Sequence, residues 1–277
     1  MRIAFIGGGN MATALISGLL KKGRSAADIC VVEIDAAARE RLEGDLHVAA
    51  HADLAQGVAG AESIVLAVKP QHMREVAHAL APLSTGALVL SIAAGVRHAD
   101  LARWLGGHAR LVRAMPNTPA LALAGMTGLY APPGVSGDDR ARAEAILGAA
   151  GTTLWVESEA QMDAVTAVSG SGPAYVFYFI EALEDAASAL GFEAKASRAL
   201  ALETFAGAVK LATQSPESVA TLRARVTSKG GTTERALETL DKARVHDSIV
   251  AAVRAAAERS RELGEALGGG AGSRSGG

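Results

Sequence analysis

The first 157 residues alternate short apolar runs with amphipathic segments, and this alternation constrains the fold more than any other feature. The β-rich runs are RIAFI, ICVVE, SIVLAV, LVLSI, RLVRAM, TGLYA and TTLWV. Helix-compatible segments such as NMATALISGLLKKG and DDRARAEAILGAAG separate them. Near-continuous apolar strands joined through helices are typical of a parallel sheet covered on both faces. The pattern predicts an α/β, doubly wound, Rossmann-type fold that binds ligands at the carboxyl ends of its strands.

From Ser158 the strand pattern stops and helical periodicity continues to about Leu267. We therefore predict a Rossmann domain over residues 1–157 and an all-α domain over residues 158–267. Residues 268–277, GGGAGSRSGG, have too little apolar surface to order themselves and are expected to form a flexible tail. The helical half is strongly apolar for so few helices, which predicts that part of its surface is buried against another subunit.

Composition and charge narrow the range of partners. The chain has 27 basic and 29 acidic residues, a net charge of −2 and only 4% aromatic residues. This balance gives no reason to expect nucleic acid or an anionic membrane as a partner. The sequence shows neither a secretory signal nor a run of roughly 20 apolar residues, so we expect a cytoplasmic protein.

The cysteine and histidine content gives no sign of a metal site. Cys30 is the only cysteine and lies in the apolar run ICVV, where a buried core residue is expected. The seven histidines are scattered without metal-ligand spacing and without a His–carboxylate dyad, and each is expected to be solvated.

A glycine-rich turn follows the first strand. Gly7-Gly8-Gly9-Asn10-Met11-Ala12 matches the G-x-G-x-x-G/A pattern between a strand and a helix. Gly7 permits the tight turn, Gly9 allows the backbone to approach a pyrophosphate, and Ala12 allows close packing of helix on strand. Asn10 and Met11 open the helix, whose N-terminus favours phosphate binding. The turn predicts a dinucleotide site.

The second strand ends in an acidic residue, Glu33, followed by Ile34 and Asp35. A carboxylate roughly 20 residues beyond the glycine turn accepts a hydrogen bond from the adenosine ribose 2′-hydroxyl and repels a 2′-phosphate. Arg39 and Arg41 on the next helix can offset that repulsion or form a solvated helix face. The sequence favours NADH and leaves NADPH open.

Three further turns follow predicted strands and should border the same crevice. The first contains Ala67-Val68-Lys69-Pro70, in which Lys69 is either a cofactor contact or an ordinary surface lysine. The second contains Ala93 among small residues, and the third places Asn117 in the rigid sequence Met115-Pro116-Asn117-Thr118-Pro119.

Two motifs interrupt the helical half. VTSKGGTT, residues 226–233, precedes a new helix, where free backbone N–H groups and Thr hydroxyls form a socket for a small carboxylate. SGSGPAY, residues 169–175, combines tiny residues with a proline, which allows close helix packing with a kink and close approach to a nicotinamide and substrate.

Six collinear motifs together resemble a known family. GGGNMA, AVKPQ, SIAAGV, RAMPNTPA, AVSGSGPAYVF and VTSKGGTT occur in the order and spacing of pyrroline-5-carboxylate reductases. The resemblance covers essentially the whole chain to about Gly264. It implies reduction of pyrroline-5-carboxylate to proline by NAD(P)H, in a Rossmann domain followed by a helical dimerisation domain. It also implies interlocked homodimers, which many members assemble into pentamers of dimers.

The resemblance assigns roles to individual residues. Gly231, Thr232 and Thr233 would hold the substrate carboxylate, and Ser228 and Gly230 belong to the same loop. Thr233 would also contact the ring nitrogen and is the candidate catalytic residue. The residues that would border the dinucleotide and its nicotinamide are Ala67, Val68, Lys69, Pro70, Ala93 and Asn117.

Two departures from the family pattern concern the cofactor. Arg225 stands where relatives often have Asn, and Glu33-Ile34-Asp35 stands where many have Ser, Asn or Arg. A hydroxyacid dehydrogenase is an alternative, but neither Lys195 nor Lys210 has the Gly- and Asn-flanked setting expected of its catalytic lysine. A non-enzymatic dinucleotide-binding protein is another, although it has no need of a carboxylate socket.

Overall fold

The computed structural model describes residues 1–269. They form one large sheet with helices packed on it, followed by five more helices. The expected flexible tail over residues 268–277 lies outside the described residues from residue 270 onward. Gly268 and Gly269, its first two residues, form the end of the last helix. None of the helices in the described part of the chain is long and apolar enough to cross a membrane.

The sheet contains eight strands in the order β3-β2-β1-β4-β5-β6-β7-β8. Their bounds are β1 Ile3–Ile6, β2 Ile29–Val32, β3 Ala49–His51, β4 Ser63–Leu66, β5 Leu88–Ser91, β6 Leu111–Met115, β7 Gly125–Tyr130 and β8 Gly151–Trp155. β2 and β3 lie on one side of β1, and β4 and the later strands lie on its other side. This change of side between β1 and β4 is the switch point, where a crevice forms at the carboxyl ends of the strands. The predicted doubly wound α/β fold is confirmed.

Two strands, β7 and β8, run against the other six. β7 pairs antiparallel with β6, and β8 then pairs parallel with β7. Only residues 116–124 separate β6 from β7, whereas a parallel pairing needs a crossover of a dozen or more residues. The sequence pattern of apolar runs predicts the strands but not this reversal of direction.

Helices cover both faces of the sheet. Alternate residues of each central strand belong to different buried clusters, with Ile3 and Phe5 in one and Ala4 and Ile6 in the other. The helices of this part are α1 Asn10–Lys21, α2 Ala36–Leu46, α3 Leu54–Val58, α4 Met73–Leu80, α5 His98–Trp104, α6 Gly137–Leu147 and α7 Gln161–Val165. A π-helical turn, Thr166–Gly170, follows α7 directly.

The remaining helices are α8 Gly172–Ala189, α9 Ala194–Gln214, α10 Val219–Arg225, α11 Thr232–Lys242 and α12 Val245–Gly269. By contacts, Gly172–Ala255 forms one compact unit, while Met1–Ser171 and the chain from Ala256 onward form the other. We call these the helical unit and the sheet unit. The division predicted from sequence, at residues 157 and 158, stays a prediction.

The last part of α12 packs within the sheet unit. The Ser260 hydroxyl donates to Asp163 Oδ1 in α7 at 2.7 Å. Arg97, just before α5, lies 3.5 Å from the Glu265 carboxylate, and Gly95 lies against Leu267. The loop between β5 and α5 is therefore covered by a segment far away in sequence.

Candidate functional site

The glycine turn after β1 has the geometry that a dinucleotide requires. Gly7 has a φ of +98°, and a Cβ there would lie 2.8 Å from the Ala67 carbonyl oxygen. A Cβ at Gly9 would meet nothing within 4 Å, so the space above the turn is open. Gly9 caps α1 without any side-chain hydrogen bond, which leaves the first N–H groups of that helix available to an anion.

The first residues of α1 differ in their burial. Asn10 is exposed and Met11 half-buried, whereas Ala12 is buried at 1% exposure in the cluster between α1 and the sheet. A cavity of about 470 Å³ opens beside the turn. It is lined by Gly8, Gly9, Asn10, Thr13, Glu33, Asp35, Ala38, Arg41, Leu42, Asp45 and Leu46. The residues present fit a dinucleotide.

Backbone N–H groups hold the Glu33 carboxylate at the end of β2. Oε2 accepts from the Gly8 N–H at 2.8 Å, and Oε1 accepts from the Asp35 N–H at 3.0 Å. The Arg39 guanidinium donates to the carbonyl oxygens of Glu33 and Ile34, at 2.7 and 2.9 Å. Arg39 is thus tied to the backbone, whereas Arg41 lines the cavity.

The other predicted turns lie at the same edge of the sheet. Ala67 follows β4, and its N–H donates to the Ile6 carbonyl at 2.8 Å. Val68 is half-buried, Lys69 is exposed, and Pro70 begins a short 3-10 helix. Ala93, after β5, is 5% exposed. These residues line the carboxyl edge beside the switch point between β1 and β4.

Asn117, predicted to border the dinucleotide, has hydrogen-bond partners within the protein. Its side chain is 9% exposed, and both ends of its amide have protein partners. Nδ2 donates to the Ser169 carbonyl oxygen at 3.0 Å, and Oδ1 accepts from the Met126 N–H at 2.8 Å. Asn117 therefore links the turn after β6 to β7 and to the π-helical turn.

The π-helical turn, Thr166–Gly170, is a feature that sequence reasoning missed. Ser171 N–H donates to the Thr166 carbonyl five residues earlier, at 2.8 Å. A Cβ at Gly170 would lie 2.7 Å from Met115 Cε, so this glycine permits close packing on the end of β6. The signal in the sequence was Pro173, which removes one donor of a regular helix.

The predicted carboxylate socket lies at the start of α11, in the helical unit. Gly231 is the N-cap residue and provides no side-chain cap, so the N–H groups of Thr232 and Thr233 begin the helix without an intrahelical acceptor. Gly230 has a φ of +73°, and a Cβ at Gly231 would lie 2.6 Å from Ser228 Oγ. The positive φ of Gly230 favours glycine, and a side chain at Gly231 would displace Ser228.

Two N–H groups of the loop already have acceptors. The Gly231 N–H donates to the Ser228 carbonyl at 3.0 Å, and the Gly230 N–H donates to Glu234 Oε2 at 2.6 Å. The groups of the predicted socket that remain available to a ligand are therefore the N–H groups and hydroxyls of Thr232 and Thr233. Arg225, which departs from the family pattern, pairs with Glu217 at 2.6 Å.

Two histidines are not solvated as expected. His98 packs edge-on against Tyr130 with 5.8 Å between ring centroids, and its Nε2 lies 3.2 Å from the Leu111 carbonyl oxygen. Burial lowers the pKa of His98 below its ordinary value. His108 Nε2 lies 2.9 Å from the Ala87 carbonyl oxygen. Both rings bridge to backbone within the sheet unit.

The glycine turn, the held carboxylate and the strand-end turns define a dinucleotide-dependent oxidoreductase with a Rossmann domain and a helical domain. A curated relative from Pseudomonas aeruginosa, a pyrroline-5-carboxylate reductase, is 46% identical over 96% of this chain and 98% of its own length. The chain belongs to the pyrroline-5-carboxylate reductase family. A relative of the same name from Haemophilus influenzae is 43% identical over 94% of this chain and 97% of its own length.

Family models and solved structures agree with this assignment. Residues 159–263 match a model described as pyrroline-5-carboxylate reductase dimerisation, and residues 2–95 match one described as NADP oxidoreductase, coenzyme F420-dependent. A pyrroline-5-carboxylate reductase from Coxiella burnetii is 40% identical with a TM-score of 0.90, covering 95% of this chain and 98% of its own. A Plasmodium falciparum pyrroline carboxylate reductase with NADP bound has a TM-score of 0.86 at 28% identity, with the same coverage.

Proposed function

We propose that the chain reduces 1-pyrroline-5-carboxylate to L-proline with NAD(P)H, as the final step of proline biosynthesis. The observation that carries this proposal is the start of α11, where the first N–H groups of the helix have no cap and stand beside two Thr hydroxyls. Such a terminus suits a small carboxylate. Membership of the reductase family supports the same substrate.

In this proposal the sheet unit holds the dinucleotide. Gly7, Gly9 and the N-terminus of α1 receive its phosphates, and the held Glu33 carboxylate receives the adenosine ribose. Ala67, Val68, Lys69, Pro70 and Ala93 border the path to the nicotinamide end. When bound, the cofactor supplies the hydride.

The helical unit orients the substrate. Thr232 and Thr233 bind its carboxylate, with Ser228, Gly230 and Gly231 fixing the loop. The Thr233 hydroxyl hydrogen-bonds the ring nitrogen and retains it in the reacting position. The protonated imine carbon is already electrophilic, so the chain has to supply positioning more than acid–base chemistry, and positioning can contribute several kcal/mol or more.

We further propose a preference for NADH. The adenosine cavity contains the carboxylates of Glu33, Asp35 and Asp45 against the single guanidinium of Arg41 among its lining residues. An added 2′-phosphate would meet a net negative environment. The two N–H donors that hold Glu33 keep its carboxylate pointed toward the glycine turn.

The exposed apolar surface of the helical unit supports a proposal about assembly. We propose homodimers with interlocked helical domains, in which the loop of one subunit completes the site beside the other subunit's cofactor. A pentamer of such dimers and a cytoplasmic location complete the proposal. The Rossmann domain then corresponds to residues 1–157 and the helical domain to residues 158–267.

The test is an absorbance assay of NADH and NADPH oxidation with pyrroline-5-carboxylate, on the wild type and on Thr233→Ala. We expect wild-type turnover with a higher kcat/KM for NADH. Thr233→Ala should lower kcat/KM by about ten- to a hundredfold, the loss of one or two hydrogen bonds to a reacting group, without abolishing it.

Thr239→Ala is the matched control because it removes the same atoms from the same helix. Its hydroxyl donates to the Arg235 carbonyl at 3.0 Å, away from the loop. Unchanged kinetics in Thr233→Ala would remove that residue from the mechanism. A large excess of kcat/KM for NADPH would overturn the NADH preference, and turnover of hydroxy acids alone would overturn the reaction.

A further inference from the structure

The Ser169 carbonyl, in the π-helical turn, lacks the donor that a regular helix would give it. In a regular α-helix the Ser169 carbonyl would accept from the N–H of residue 173, four positions on. Residue 173 is proline and has no N–H. The donor comes instead from Asn117 Nδ2 at 3.0 Å, on the turn after β6.

The Asn117 amide is fixed on both sides. Its Oδ1 accepts from the Met126 N–H in β7 at 2.8 Å, which determines the orientation of the amide and points Nδ2 at Ser169. The side chain is buried at 9% exposure, so water does not readily replace it. A carbonyl that loses its donor away from water destabilises the segment that carries it.

The Ser169 side chain offers no alternative attachment. Its Oγ is buried and has no hydrogen-bond partner among residues 1–269. The adjacent Gly170 packs on the Met115 side chain at the end of β6, where a Cβ would approach Met115 Cε to 2.7 Å. The polar link through Asn117 and this close packing fix the turn against the carboxyl edge of the sheet.

We propose that Asn117 is a positioning residue for the reduction rather than a cofactor contact. It supplies the donor that Pro173 lacks and holds residues 166–171 against the end of β6. These small residues lie at the sheet edge where the proposed function places the nicotinamide, so the proposal depends on that function. Loosening them would misplace the reacting groups, and misplacement by about 1 Å can cost a hundredfold in rate.

The experiment is a double-mutant cycle on the full chain with Asn117→Asp, Pro173→Ala and the double variant. Asn117→Asp keeps the acceptor for Met126 N–H but sets a carboxylate oxygen against the Ser169 carbonyl. Pro173→Ala restores a backbone N–H four residues beyond Ser169. The readouts are kcat, KM for pyrroline-5-carboxylate, and hydrogen exchange of residues 166–171 without cofactor.

We expect Asn117→Asp to lower kcat about tenfold, while KM changes less than about twofold because the socket at α11 is untouched. Exchange in residues 166–171 should accelerate. In the Pro173→Ala background both effects of Asn117→Asp should shrink, with the fall in kcat below about threefold. A defect equal in both backgrounds would overturn the proposal, as would unchanged exchange in Asn117→Asp.

Two further outcomes are decisive. If Asn117→Asp does not fold, Asn117→Ser enters the same cycle without the opposing charge. If the wild type does not reduce pyrroline-5-carboxylate, the proposed function fails and Asn117 loses its role in the reaction. The exchange cycle then still reports whether Asn117 replaces the missing N–H, so the two failures are distinguishable.

Discussion

Several single residues in this chain act by forming, or by not forming, hydrogen bonds with backbone N–H and carbonyl groups. Glu33 is held by two N–H donors before any ligand arrives, and Asn117 replaces a donor that proline removes. At the start of α11 the opposite applies, because Gly231 leaves the helix uncapped. Polar groups that already have partners within the chain therefore stabilise the fold, and backbone N–H groups without partners are available to a ligand.

His98 provides a prediction about pH. Burial lowers its pKa from the ordinary 6.5, although the Leu111 carbonyl and the Glu159 carboxylate favour the charged form. As pH falls below 6.5, the unfolded chain binds a proton that the folded chain binds only at lower pH, so the free energy of unfolding decreases. We expect the wild type to lose more in Tm between about pH 7.5 and about pH 5.5 than His98→Gln, which cannot titrate.

Thermal unfolding of both proteins in matched buffers measures this difference. Gln keeps a donor amide and does not titrate, so it is a suitable replacement. An equal loss of Tm in the two proteins would mean that His98 has the same pKa folded and unfolded.

At the scale of helices and strands, the sequence predicted the regular elements but not the short edge strand β3 or the π-helical turn. The seven apolar runs all became strands. Burial on both faces explains the signal for the central strands, whose residues are buried throughout in β1, β2, β4 and β5. β3, Ala49–His51, was missed because it is a short edge strand with no fully buried residue. The π-helical turn was missed because Pro173 by itself indicates only a kink, and the contact that the turn makes with Asn117 spans 52 residues of sequence.

The same distinction applies to the local structure of the candidate site. Gly7, Gly9 and Glu33 follow from local rules for a strand, a turn and a helix. The different positions of Arg39 and Arg41 do not follow from these rules. They depend on which of the two guanidinium groups reaches the backbone after β2.

The attachment of α12 within the sheet unit gives a prediction about stability. Ser260 is 4% exposed, and its hydroxyl donates to the Asp163 carboxylate at 2.7 Å. Ser260→Ala would leave that oxygen without this donor, and we expect a loss of about 1–3 kcal/mol in the free energy of unfolding. Urea denaturation of the purified enzyme measures it.

Ser248→Ala is the control on the same helix. The Ser248 hydroxyl is exposed and donates to the Arg244 carbonyl at 3.1 Å, four residues earlier. Its loss should stay within about 0.5 kcal/mol. Similar values for the two variants would show that the Ser260–Asp163 bond does not anchor the helix.

At the scale of the whole molecule, the two units differ in how much they bury. The sheet unit has a dense core, whereas Ser197 and Ala201 are the only buried residues described within Gly172–Ala255. α8 is an apolar helix without a single buried residue. Exposed apolar surface on this scale marks a protein–protein interface. We therefore expect a partner chain to cover the apolar surface of the helical unit.

Phe177 tests this interpretation. It lies in α8 and is 65% exposed in the single chain. We expect Phe177→Glu to shift the wild-type oligomer toward smaller species, because a carboxylate buried in an apolar interface costs several kcal/mol. Analytical ultracentrifugation over a range of concentrations measures the shift.

Leu83→Glu is the corresponding change in the sheet unit, at a leucine that is 40% exposed. It should leave the sedimentation coefficient unchanged. A wild type that sediments as a monomer, or a Phe177→Glu variant that sediments like the wild type, would contradict an interface at α8.

The return of α12 to the sheet unit has a consequence for biosynthesis. A nascent chain leaves the ribosome from its N-terminus, so the whole sheet is synthesised before the segment that covers the loop between β5 and α5. Until α12 has been translated, Gly95 and Arg97 lack their contacts with Leu267 and Glu265. A premature stop codon within α12 would therefore damage the unit that was made first.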